Sequence, residues 1–191
     1  MSKTLFRSLL ATAVLIIASS PAAFCQLNSN TATISLSATL GESLSISATP
    51  TATSFALVAG GTAQASAPVA ITQTWVLNAS RASVTLVGWF ANAAQALTSG
   101  GSSPVYIPTS EVLGQVTTGS PTAFTAFTAT PGTGQPGVTG ASLVLTTTAI
   151  TNANRNSSRT DNLNLEINLT SQPQLPAGTY TGTLNLQAQA L

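Results

Sequence analysis

Histidine does not occur in this chain, and cysteine occurs once, at Cys25. The first absence removes Ser-His-Asp and Cys-His catalysis and every histidine metal site. Charge is nearly as scarce: 5% of 191 residues carry it, where a globular domain has about a quarter. With only Glu42, Glu111, Asp161 and Glu166 as carboxylates, neither the facing pair of a glycosidase nor the oxygen cluster of a tight calcium site has much to draw on. Lys3 is the only lysine. A basic footprint for nucleic acid or anionic lipid is therefore missing, and no motif points to a cofactor or a metal. What fills the chain instead is Thr, Ser, Ala and Asn around a hydrophobic fraction of 43%. Thr suits a pleated face, and Ser and Asn suit turns. A chain this apolar with this little net charge is expected to fold.

The first residues form a separate object. Lys3 and Arg7 make a basic start, residues 9–18 an apolar core, and residues 19–25 a run of mostly small residues. That order reads as a signal peptide over residues 1–25. Ala23 and Cys25 suit a cut before Gln26; Ser20 and Ala22 suit one before Ala23. The apolar run is short for a bilayer span, and Phe24 stands where a lipobox needs a small residue. The expectation is export to the periplasm, cell surface or medium, with residues 26–191 as one domain and no transmembrane segment in it. After removal of residues 1–25, Arg81, Arg155 and Arg159 face four carboxylates, a net charge of −1.

Beyond Asn28 the dominant period is two, the mark of strands with one buried face. Ile34, Leu36, Ala38 and Leu40 share even positions with Leu44, Ile46 and Ala48, so Gly41 reads as a bend or a turn. Val69, Ile71, Trp75 and Leu77 share odd positions; Val84, Leu86, Gly88 and Phe90 share even ones. A hairpin through residues 79–82 would pair Trp75 with Leu86 and set Gln73 opposite Gly88, with both apolar sets on one face. Residues 91–97 allow a turn or two of helix at most. Short strands are expected within residues 104–108, 112–116 and 123–127, and an exposed loop over 131–137. Residues 142–146, 163–169 and 180–190 alternate clearly, with a polar loop at 151–158. Some seven to nine strands and no substantial helix predict an all-β, antiparallel immunoglobulin-like β-sandwich.

Few side chains stand out as chemistry. Asp161 beside Arg159 reads as a surface ion pair near a strand end, and Glu42 and Glu111 as solvated. Trp89 falls on the parity opposite the core set. With Tyr106 it is a candidate exposed ring for stacking on a glycan, the alternative being ordinary packing.

The ends of the chain carry the strongest functional hint. Residues 31–40 and 179–191 are long, alternating and uncharged, whereas sheets that stay monomeric usually protect their edges with charge, proline or bulges. Such edges invite strand addition. Residues 178–191, GTYTGTLNLQAQAL, with Gly178, Tyr180, Leu184 and Leu186 in alternation, resemble the final strand of chaperone–usher pilus subunits and of spore-coat-U-like secreted domains. The chain differs from that pattern at Ala190, where the family has tyrosine, and in lacking a cysteine pair. The resemblance implies assembly or adhesion through a donated N-terminal strand, here with Ile34, Leu36 and Leu40 filling a groove. The predicted function is a non-enzymatic exported structural subunit that joins copies of itself or other surface subunits through its terminal strands. A monomeric glycan- or protein-binding module is the alternative.

Overall fold

The computed structural model describes residues 27–191; the signal peptide expected over residues 1–25, with Cys25, lies outside the described residues. The chain divides into two compact units, Met1–Thr39 and Leu40–Leu191. In the first, residues 27–39 are exposed and take no regular secondary structure. The strand expected over Ile34 to Leu40 is thus not formed there, and pairing starts after Glu42.

The second unit is an antiparallel β-sandwich. One layer follows the order β1 (Ser43–Thr49), β3 (Val69–Val76), β10 (Asn156–Asn168), β7 (Val112–Val116) and β8 (Thr125–Ala126), with β2 (Thr62–Gln64) also paired to β10. The other layer has two three-stranded pieces. β12 (Asn185–Ala190) pairs with β4 (Ser83–Trp89), which pairs with β9 (Ser142–Ala149); β11 (Tyr180–Thr181) pairs with β5 (Leu97–Ser99), which pairs with β6 (Tyr106–Ile107). β11 and β12 are two stretches of one strand interrupted at residues 182–184, and β4 and β5 are a second such pair. The expected seven to nine strands are therefore broken into more, shorter pieces. Residues 91–96 form turns with no helix, and β10 begins at Asn156, inside the stretch read as a loop.

The expected hairpin is the main correction. β3 pairs with β1 and β10, and β4 with β12 and β9, so consecutive strands lie in opposite layers. Their apolar sets face each other across the core instead of standing side by side. Ile71, Leu86, Leu145, Leu163 and Ile167 meet in this core, all fully buried. Period two determines which face of a strand is buried; it does not say which neighbour accepts its backbone hydrogen bonds.

Gly88 illustrates the same point. A Cβ there would meet Phe127 at 3.1 Å, and one at Gly114 would meet it at 3.2 Å. The Phe127 ring thus sits between a glycine of each layer, and it meets Phe90 edge-on at a centroid distance of 5.3 Å. The apparent weak spot in β4 is the socket of a core aromatic.

Candidate functional site

The two layers do not close along the side where β1 and β12 are their edge strands. Between them runs a groove of about 710 Å³. One wall is Ala48 and residues 50–55 with Leu57; the other is residues 178–184 with Leu186. Its floor is the core itself: Val69, Phe90, Val112, Leu163, Leu165 and Ile167 all line it. Among the described residues Tyr180 is the only ionisable side chain along it, and its hydroxyl donates to the Pro176 carbonyl at 2.8 Å.

Local sequence produces this opening. β1 alternates up to Ala48, then Pro50 and a Thr/Ala run break the ladder, and the chain is tied back through the Phe55–Ala65 bridge and bonds of Thr53 and Ser54 to Ser66. On the opposite wall Gly182 lies so close to the Ala96 carbonyl that a Cβ would collide with it. Absence of a side chain there lets β11 stay against β5 while the strand is interrupted. Backbone groups on the groove side of residues 182–187 have no strand partner in either layer beyond β4. An apolar floor flanked by a free edge is the arrangement that accepts an added strand.

Four residues singled out from sequence, Gly178, Tyr180, Leu184 and Leu186, come together on one wall of the groove. The opposite wall at residues 50–57 was not foreseen. Its signal is the change of parity across Pro50, from Ile46 and Ala48 on even positions to Phe55 and Leu57 on odd ones. Ile34, Leu36 and Leu40 are 84%, 91% and 85% exposed.

The other candidates lie elsewhere. Trp89 is half-buried at the end of β4, where its carbonyl accepts from Asn185 Nδ2 at 3.4 Å. Its sheet face is not bare, because Gln189 Nε2 on the neighbouring strand donates to the Gly134 carbonyl at 2.6 Å and holds the 131–137 loop across β12. Tyr106 borders a shallow depression with Pro173 and Leu175, away from the groove lining. Each carboxylate has its own partner. Glu111 accepts from Ser171 Oγ at 2.6 Å, and Glu166 from Gln64 Nε2 at 3.5 Å. Asp161 is not at the surface as expected: it is buried within β10 and paired with Arg159 at 2.7 Å.

Glu42 is exposed, as expected, and is also held by Arg81. Arg81 Nη2 donates to Glu42 Oε2 at 3.1 Å, and the Asn78 N–H donates to Oε1 at 2.9 Å. These bonds, the Arg81 one first, hold the carboxyl below its ordinary 4.5 and raise the arginine in turn. Among the described residues no group of three or more His, Cys, Asp or Glu side chains could hold a metal ion, and no helix is long and apolar enough to cross a membrane. No family model, no curated protein and no solved structure matches the chain.

Proposed function

We propose that this chain is an exported, non-enzymatic structural subunit that assembles by strand addition, the segment 31–40 of one copy lying in the groove of the next. One observation carries the reading: the sandwich leaves its own core open along an edge, while the same chain holds an uncharged, alternating segment with Ile34, Leu36 and Leu40 exposed. Groove and segment suit each other chemically. Both are uncharged, and full burial of an Ile or Leu side chain contributes about 1.5–3 kcal/mol.

The direction of insertion follows from chain connectivity. Leu40 leads through Gly41 and Glu42 directly into β1 of its own sandwich, so the donor's body has to lie outside the acceptor groove, next to Leu40. β1 and β12 come together at the end where β1 starts and β12 finishes; there Leu44, Ala188 and Ala190 pack with Trp75. The groove opens at the other end, toward residues 178–180. Leu40 therefore sits at the open end and Ile34 deeper in, and the donated strand runs antiparallel to β12. The donor segment leaves its own sandwich at the closed end and enters a neighbour through the open end. A head-to-tail contact of this kind does not close on itself as a two-fold dimer does.

Sedimentation velocity on residues 26–191 tests this reading. The expected result is a series of species that grows with concentration, and a monomer for the variant Ile34→Asn, Leu36→Asn at every concentration. Equal behaviour of the two proteins would remove the proposal.

A further inference from the structure

β1 and β12 part and close within a few residues. Ala48 and Leu186 still line the groove; within four residues on each strand, Leu44, Ala188 and Ala190 pack against Trp75, Leu77 and Val84. Side-chain size accounts for the taper. The terminal strand presents Leu184, just before β12, and Leu186 over the groove, then Ala188 and Ala190, and small residues let the facing strand come close. The 79–82 loop fastens the same end. Arg81 reaches Glu42 just before β1 and donates through Nη1 to the Ala190 carbonyl at 3.4 Å, while the Ala82 N–H donates to the Leu191 carbonyl at 2.6 Å. The apolar seam contributes most of the hold, because a part-exposed ion pair adds little.

The geometry points to this sealed end as a stop, which fixes how far a donated strand advances and thereby which residues of the donor are read. The inference rests on the strand-donation reading above. The wall from Gly178 to Leu186 spans nine residues, about 30 Å in extended form. Residues 32–40 match that length and place Ile34, Leu36, Ala38 and Leu40 on one face. Thr31 then meets the seal, and residues 27–30 remain in water. Their composition agrees independently: Asn28 and Asn30 occupy the parity of Ile34 and Leu36, where a buried position would leave two amides without partners.

The test uses residues 26–191 with the internal segment disabled by Ile34→Asn and Leu36→Asn, titrated with labelled peptides and read by fluorescence anisotropy. The probes are residues 32–40, residues 27–40, residues 27–40 with Asn28→Ile and Asn30→Ile, and residues 36–40. The first three are expected to bind within about twofold of each other and the last about tenfold or more weaker. Loosening the seal with Leu44→Ala and Arg81→Ala should let the Ile-bearing peptide gain about fivefold over residues 32–40. Such a gain with the seal intact overturns the stop and leaves strand donation standing. No gain in the loosened protein, once circular dichroism shows it folded, overturns the stop as well. If the loosened protein does not fold, the comparison with the seal intact decides alone. Failure of every peptide to bind overturns strand donation itself.

Discussion

Asp161 is 1% exposed, and three donors hold it: Arg159 Nε at 2.7 Å, Arg159 Nη2 at 2.8 Å and Thr118 Oγ1 at 2.7 Å. Arg159 also donates to Thr148 Oγ1 at 3.1 Å and to the Thr118 carbonyl at 2.7 Å. Nearby, Gln73 Nε2 reaches Thr146 Oγ1 at 3.3 Å, while its Oε1 has no protein partner. These groups join β10 and β3 to β9 across the sandwich. In a domain whose described residues contain no cysteine, this polar seam links the layers on the side away from the groove. Removing one member of a buried pair leaves the other without compensation. Asp161→Asn, introduced into the donor-disabled background so that assembly does not obscure unfolding, should lower stability by about 2 kcal/mol or more. Replacing both Asp161 and Arg159 by leucine should cost less than the single change predicts. Urea unfolding midpoints measure both, and an unshifted midpoint for Asp161→Asn would exclude a structural role for the pair.

At the scale of elements, the Glu42–Arg81 pair couples the two edge strands, and its pH dependence has a definite sign. Glu42 is held below 4.5 by the Arg81 guanidinium and the Asn78 N–H. A depressed carboxylate stabilises the fold above its unfolded value and loses that contribution as pH falls through the lower folded value. Thermal scans should therefore show wild type melting above Glu42→Gln from neutral pH down to about 4.5, with the two curves merging as acid is added below that. A gap that survives to the acid limit would mean that Arg81 does not engage this carboxylate.

The strands themselves show how far pattern reading extends. Alternation identified the buried faces of β3 and β10, because each presents one side to the core; in β4 it identified Val84, Leu86 and Gly88 but not the burial of Thr85 and Val87 on the other face. It misassigned the β3–β4 connection, because facing across a core and pairing along an edge produce the same apolar parity. It could not show that Asp161 is buried, because Thr118, which donates to it, and Thr148, which accepts from its partner Arg159, are brought there by tertiary contacts alone. The groove was legible on one wall. Residues 178–186 keep their alternation, whereas residues 50–57 shift parity across Pro50 and show the new one only through Phe55 and Leu57.

For the whole molecule, assembly geometry makes a quantitative claim. Each copy offers one segment and one groove, so a copy carrying Ile34→Asn and Leu36→Asn accepts a strand but gives none. In a head-to-tail chain it occupies an end and nothing can add beyond it. Mixing it with wild type at one part in ten, before assembly, should shorten the chains to a mean of about ten copies, and doubling its share should halve that mean. A closed two-fold dimer behaves otherwise: the variant would only withdraw partners, and no species larger than two copies would form at any ratio. A segment folding back into its own groove would leave wild type monomeric and insensitive to the variant. Light scattering on such mixtures separates the three geometries through the dependence of mass on mixing ratio. Only the head-to-tail chain combines large species with graded shortening, because only there does a single defective donor end growth.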